Sequence, residues 1–405
     1  IAVPVFLWAR LQWGPGWAAP FAALLIVFLP AHLHRTFGYL MRYEPAGSLL
    51  VTSHFACAAA ALAAGSARRR LALALASALL MLVALWMWRV PLIVPLLESI
   101  LVAVWILARG AEPAVRDLFA VEMAVLTAGA FGLEYLRAQR VPLSAVWLAC
   151  LAVAAAGCVP RLAPGRARIA ERAVWLAAGV ALAVAASHFT GTQSPYGSMA
   201  TILPAKVRLL LHQPVALDPL PRLMLAIEEL GTASPPAFFA GAMNLAFLGP
   251  WLLLAPLVFW LAAGRPRPGA FEAPAHSLFL LGLATAFTLL ALFVYRAKVL
   301  VAPIAAVAVA GVLQALLSER WPRSRGTRAA ASTRRDKHAR RDRAPAPGSR
   351  PPRLRFALAL LLVASLAANA WISVVIAATR ESRLPADQAR ALKYLREETP
   401  PGATV

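Results

Sequence analysis

The sequence predicts an all-α protein built as a polytopic transmembrane helical bundle. Of its 405 residues, 60% are hydrophobic and only 14% are charged, whereas a soluble domain carries about 25% charged residues. Apolar runs of roughly 18–25 residues alternate with short charged loops, as expected for helices that cross a hydrocarbon layer about 30 Å thick. About 11–12 spans are expected in the chain.

The apolar runs place eleven of these spans, and residues 1–8 are interpreted as the end of one more. The predicted spans lie near residues 17–34, 48–64, 71–88, 91–108, 117–134, 142–159, 173–189, 236–263, 276–295, 299–317 and 354–379. The first residues, IAVPVF, include neither a methionine nor a basic leader. We therefore interpret the chain as a fragment that lacks both ends of a longer protein.

The formal charge of +22 could suggest a nucleic-acid-binding protein, but the arginines lie mainly between apolar runs, where topology signals are expected. No nucleic-acid partner is predicted. If successive spans cross the membrane in alternating directions, all the arginine-rich loops fall on the same side. The positive-inside rule makes that side cytoplasmic. Residues 35–47, the loop 190–235, the turn around Arg296 and the tail 380–405 then face outward.

This topology divides the chain into four parts. Residues 1–317 form a multi-span transmembrane domain with an outward-facing site, and residues 354–379 form a final transmembrane helix. Between them, residues 318–353 are rich in Arg, Pro, Ala and Ser, which is typical of a disordered linker, here basic and cytoplasmic. Residues 380–405 begin an extracytoplasmic domain that is truncated.

Three glutamates lie within the predicted spans, and such groups are functional candidates by default. They are Glu98, Glu122 and Glu134. Of these, Glu98 and Glu122 lie toward the inner or central part of the membrane and are interpreted as buried partners for arginine or backbone groups. The histidines in and beside the first spans, among them His54, are interpreted as polar packing at helix ends in preference to metal ligands.

Four outward-facing stretches carry polar residues that topology does not explain. The first holds Arg35-Thr36 at the end of a span and, seven residues after Arg35, Arg42-Tyr43-Glu44. The second, AIEE at residues 226–229, ends on Glu228 and Glu229 shortly before a span. The third has Arg296 at the outer end of a span, with Pro303 seven residues later. The fourth is ARALKYLREETPPGATV at residues 389–405.

In this order, the four stretches resemble the catalytic subunit of oligosaccharyltransferase, a membrane glycosyltransferase of the GT-C type. That family has an arginine followed by a D-x-D or D-x-E pair, a T-I-x-E-like motif in a long outer loop, and an arginine that binds pyrophosphate. The resemblance implies a GT-C fold for this chain. It also implies protein glycosylation, in which a glycan passes from a polyprenyl pyrophosphate carrier, a lipid-linked oligosaccharide, to an asparagine of an acceptor polypeptide.

The resemblance also implies the site. Glu44 and Glu229 would be catalytic and would hold Mg²⁺ or Mn²⁺, while Arg35 and Arg296 would bind the substrate. These four residues are expected to converge on the outer face of the membrane. The expected location is the cell membrane, crossed several times, with a bacterial or archaeal plasma membrane favoured.

Two departures keep other functions open. Arg42 stands where the family has its first acidic residue, and Ala226 stands where it has threonine. One alternative is therefore a GT-C transferase that uses a polyprenyl monophosphate sugar. Another is a non-catalytic membrane protein, either an inactive paralogue or a transporter. The roles of Arg42 and Glu228 stay open in each case.

Overall fold

The structure is a computed structural model that describes residues 1–29, 43–88, 90–165, 168–189, 275–293, 298–317, 356–357, 359–368 and 371. These residues form helices, turns and short connections, with no strand among them. The helices are α1 (Ala2–Trp13), α2 (Ala18–Phe28), α3 (Tyr43–Ala63), α4 (Ala67–Met87), α5 (Ile93–Arg109), α6 (Pro113–Gly132), α7 (Glu134–Ala138), α8 (Ala145–Gly157), α9 (Ile169–Phe189), α10 (Ala275–Phe293), α11 (Lys298–Leu317) and α12 (Ala359–Ala368).

Among the described residues, four helical segments are long and apolar enough to cross a membrane: Pro45–Ala63, Ala67–Met87, Val90–Arg109 and Ile169–His188. Five shorter apolar stretches fall in α2, α8, α10, α11 and α12. The predicted all-α fold of membrane type is confirmed. The predicted linker at residues 318–353 and the tail at residues 380–405 lie outside the described residues, so the division into domains stays a prediction.

The centre of the bundle is α11, which packs against α1, α2, α3 and α10. Residues 301–310 are all buried, and most of them are alanine or valine, whose small side chains let neighbouring helices approach closely. At Gly311, α11 approaches α1 so closely that a Cβ atom there would overlap the Trp13 ring. The Trp13 indole is fixed in this position by donating from Nε1 to the Val307 carbonyl oxygen, 2.8 Å away.

Local sequence signals set several helix ends. Ser66 caps α4 and Ser144 caps α8, each through a hydroxyl that accepts from a backbone N–H of the first turn. Gly110 ends α5 with a positive φ of 89°, a backbone conformation that favours glycine. A Cβ atom at Gly110 would also lie 2.8 Å from the Leu162 carbonyl oxygen, so this turn requires glycine for both backbone conformation and space.

Contacts bring the arginine-rich loops together at one end of the bundle. Arg70, in the first turn of α4, donates through Nε to Asp117 of α6 at 2.8 Å. Arg172, near the start of α9, donates to the carbonyl oxygen of Leu107, in the last turn of α5, at 3.1 Å. We call this region, which also contains Arg116, the arginine-rich end. Its assignment to the cytoplasm stays a prediction.

The same end contains parts of α1, α10 and α11. Gln12 of α1 donates to the hydroxyl of Ser277, near the start of α10, at 2.8 Å. Gln314, near the end of α11, donates to the Trp13 carbonyl oxygen at 3.4 Å. The last turn of α3 and the first residue of α10 border the same cavity as Arg109. Since α3 and α11 both end here, both helices begin at the opposite end of the bundle.

Candidate functional site

The predicted outward site lies almost entirely outside the described residues. Arg35, Arg42, Glu228, Glu229 and Arg296 are not described. Glu44 occupies the first turn of α3, but its side chain also lies outside the described part. The convergence of these residues therefore stays a prediction.

Within the described residues, three ionisable side chains meet in the interior of the bundle. His54 of α3 is 0% exposed, Glu98 of α5 is 2% exposed and Glu122 of α6 is 1% exposed. Nine residues separate His54 from the end of α3, and nine separate Glu122 from the start of α6. At 1.5 Å per residue, His54 and Glu122 lie about 14 Å from the arginine-rich end, which is roughly half the thickness of a hydrocarbon layer.

The distances within this cluster, which we call the His54–Glu98–Glu122 cluster, are short. His54 Nε2 lies 3.0 Å from Glu98 Oε1 and 3.9 Å from Glu122 Oε1. One ligand atom from each of the three residues falls within 4.8 Å of the other two. The three groups therefore face a common point, which lies between α3, α5 and α6.

Ser77 of α4 orients the imidazole. Its hydroxyl donates to the His54 carbonyl oxygen at 3.1 Å, so the hydroxyl oxygen can accept from the ring at Nδ1, 2.8 Å away. The Ser77 carbonyl oxygen also faces Nδ1, at 3.1 Å. Because a carbonyl oxygen only accepts, the proton of the neutral ring is assigned to Nδ1. The lone pair on Nε2 then points toward the two carboxyl groups.

The carboxyl groups are only partly satisfied. Glu98 Oε2 and Glu122 Oε1 are buried and have no hydrogen-bond partner among the described residues. Neither carboxyl forms an ion pair with lysine or arginine in that part of the chain. A buried carboxylate without compensation is costly, so this cluster requires either a shared proton or a metal ion. Its combination of one nitrogen and two carboxylates could hold a metal ion.

A cavity of about 330 Å³ adjoins the cluster between α5, α6 and α10. Glu98 and Glu122 contribute the acidic part of its lining, and Arg109 lies on its border. The rest is mainly apolar and includes Leu101, Leu118 and Phe279. The carboxyl groups therefore border a cavity large enough to hold water or a small ligand.

The structure corrects two interpretations of these residues. His54 lies near the middle of α3, not at a helix end. Glu98 and Glu122 pair with His54, not with arginine or backbone groups. Glu134, which also lies in a predicted span, is exposed in the first turn of α7. A signal for the cluster was present in the sequence, because His54, Glu98 and Glu122 all interrupt apolar runs.

No family model matches the sequence, and neither does any curated protein. The structure is similar to solved structures of the Archaeoglobus fulgidus oligosaccharyltransferase. The apo form aligns with 99% of this chain and 46% of that protein, at 18% identity and a TM-score of 0.63. The complex of that protein with Zn and sulfate aligns with 99% of this chain and 42% of that protein, at 15% identity and a TM-score of 0.52.

The chain therefore spans less than half the length of the solved structures that it matches. At sequence identities this low, the match shows that the folds are similar. It does not match individual site residues between the two proteins. Nearly the whole chain takes part in the structural match, as the predicted resemblance requires. In its fold, this protein is oligosaccharyltransferase-like.

Proposed function

We propose that the protein is a glycosyltransferase that moves a glycan from a polyprenyl pyrophosphate carrier to an asparagine of an acceptor polypeptide. The observation that carries this proposal is the structural match to an oligosaccharyltransferase over 99% of the chain. The motifs at Glu44, Glu229 and Arg296 supply the residues for the chemistry, in the order that the resemblance requires.

The described helices support a common location for two of these motifs. Glu44 belongs to the first turn of α3, and Arg296 precedes the first residue of α11 by two positions. Both helices begin at the end of the bundle opposite the arginine-rich end, and α3 packs against α11. If the arginine-rich end is cytoplasmic, the starts of both helices face the outside of the cell, where the proposed reaction takes place.

The proposed chemistry follows from the charges involved. Breaking the glycosyl bond leaves negative charge on the pyrophosphate, and a nearby cation stabilises that charge most strongly where water is excluded. The Arg296 guanidinium suits the geometry of phosphate oxygens. Glu44 and Glu229 would hold Mg²⁺ or Mn²⁺, which prefer oxygen ligands, and Arg35 would assist in binding the carrier. A glutamate carboxylate would also accept a hydrogen bond from the acceptor amide.

A transfer assay tests this proposal. The protein from its full gene, purified into lipid nanodiscs, is incubated with Mn²⁺, a polyprenyl pyrophosphate-linked glycan and a fluorescent asparagine-containing peptide. We expect a glycosylated peptide by mass spectrometry, and no product from the matching peptide with glutamine in place of asparagine. Glu229→Gln should abolish transfer, while the control Glu134→Gln, at the exposed start of α7, should keep it.

The lipid-linked sugar that serves as donor distinguishes the proposed function from its alternatives. Transfer only from a polyprenyl monophosphate sugar would contradict the proposed donor and favour the other type of GT-C transferase. If folded protein transfers a glycan from neither donor, a non-catalytic paralogue is favoured. The presence of Arg42 in place of an acidic residue supports that alternative.

A further inference from the structure

We infer that the His54–Glu98–Glu122 cluster binds one divalent transition-metal ion, with Zn²⁺ the best fit, and that this ion joins α3, α5 and α6 inside the membrane. This site uses none of the residues proposed for glycosyl transfer. It does not depend on the proposed function and goes beyond it.

The geometry fits a small tetrahedral ion. With metal–nitrogen and metal–oxygen bonds of about 2.0–2.2 Å, the edge of a coordination tetrahedron is about 3.4 Å. The distances from His54 Nε2 to the two carboxylate oxygens are 3.0 and 3.9 Å, on either side of that value. The three ligand atoms all lie within 4.8 Å of one another, so the side chains would close by up to about 1.4 Å along an edge to complete three of the four ligand positions.

The charges also fit. Two ionised carboxylates and a neutral imidazole carry a net charge of −2, which one divalent ion neutralises. Glu98 Oε2 and Glu122 Oε1 have no partner among the described residues, although both side chains are at least 98% buried. The Glu122 oxygen without a partner is the one that faces His54, so it points into the cluster. A metal ion supplies the missing partner directly.

Ser77 gives the site the support that metal-binding histidines usually have. A histidine ligand typically donates its other ring N–H to a carbonyl, carboxylate or water, and this fixes the tautomer. His54 makes this arrangement through Nδ1 with the hydroxyl and carbonyl oxygens of Ser77. Its Nε2 lone pair is thus directed at the position where the ion would sit.

The ligand types favour Zn²⁺ over the ions proposed for the outward site. Imidazole nitrogen suits zinc, copper, iron and nickel, whereas magnesium prefers an all-oxygen shell. The adjoining cavity of about 330 Å³ reaches both carboxyl groups, so it offers a path for the ion and space for water as a fourth ligand. A site with three protein ligands on three helices would stabilise the way these helices pack.

Metal analysis of the purified protein tests this inference. The protein is stripped of metal by chelation, and ZnCl₂ is then added as the probe. We expect mass spectrometry to find one equivalent of zinc in the wild-type protein. The variants Glu122→Gln and His54→Gln should lose this equivalent. Zinc-edge X-ray absorption should show one nitrogen and two or more oxygens at about 2.0–2.2 Å. Glu112→Gln, a half-buried carboxylate just before α6 that lies near Arg109 and outside the cluster, serves as the matched control and should keep the zinc.

Two further variants separate this site from the others. Ser77→Ala keeps all three ligands but removes the hydroxyl that orients His54, and it should weaken zinc binding about 10- to 100-fold. Glu229→Gln should leave this zinc equivalent in place, because Glu229 belongs to the proposed outward site. Folded wild-type protein without bound zinc would contradict the inference and leave a shared proton as the compensating group. Retention of zinc in both ligand variants would contradict it as well.

Discussion

His54, Glu98 and Glu122 are polar residues in helices that are otherwise largely apolar. A charged side chain at the centre of a bilayer costs about 2.5–3.5 kcal/mol on insertion scales. Burial against protein lowers this cost only if the charges are compensated. Three such groups at one point therefore need compensation, either by a shared proton or by the inferred metal ion.

The proposed role of Arg296 gives a prediction at the scale of a single side chain. Arg296→Ala should weaken binding of a polyprenyl pyrophosphate by roughly 1.5–3 kcal/mol, or about 10- to 150-fold, because one charge-assisted phosphate contact is lost. The control Arg69→Ala changes an exposed arginine near the start of α4 and should bind the carrier normally. Dissociation constants can be measured by titration in nanodiscs. Equal affinity in both variants would make Arg296 a helix anchor only.

Sequence reasoning identified Glu98 and Glu122 as unusual but did not identify their partner. Their pairing with His54 depends on how α3, α4, α5 and α6 are rotated against one another. In a soluble helix an apolar stripe reveals that rotation, but helices that are apolar all round carry no such stripe. The individual residues could therefore be predicted as candidates, while the cluster they form required the structure.

At the scale of secondary structure, apolar length and short charged loops were sufficient to locate most described helices. The predicted spans at 91–108, 173–189 and 276–295 agree closely with α5, α9 and α10. The central position of α11 was harder to predict, because its composition resembles that of its neighbours. What sets it apart is its small residues, which permit close packing on several sides at once.

The contact between α1 and α11 gives a prediction at this scale. Gly311→Ala should destabilise the protein by about 1–3 kcal/mol, because the added methyl group overlaps a Trp13 ring that its hydrogen bond holds in place. Gly132→Ala is the matched control, since a Cβ atom there meets nothing within 4 Å. Thermal unfolding in detergent should show a lower midpoint for the first variant only. An unchanged midpoint for Gly311→Ala would mean that this helix contact is loose.

At the scale of the whole molecule, the alternating count predicted that the arginine-rich loops share one side. The hydrogen bonds of Arg70 and Arg172 bring three of these loops to one end of the bundle. The starts of α3 and α11 lie at the other end; in the sequence, Glu44 falls in the first turn of α3 and Arg296 precedes α11 by two positions. Loop charges could predict this separation, because the charge of a loop indicates the side of the membrane on which it lies. They could not predict how the outward residues meet, which depends on the path of the long loop.

The central claim is that residues about 185 positions apart, Glu44 and Glu229, meet in one outward site. Carboxylates that share a metal ion must approach within about 5 Å. The test uses a double variant, Glu44→Cys with Glu229→Cys, in protein whose native cysteines are replaced by alanine and which carries a protease site inserted after the exposed Gly165. A short bismaleimide is applied in nanodiscs, the chain is cleaved at the inserted site, and the fragments are separated on a denaturing gel.

We predict that the two fragments of this double variant stay joined. They should separate in a control that combines Arg68→Cys with Glu229→Cys, because Arg68 lies at the arginine-rich end. Proteins with a single introduced cysteine establish that the reagent reaches each position. Separation of the fragments in the double variant at positions 44 and 229, with both positions reactive, would contradict the shared site.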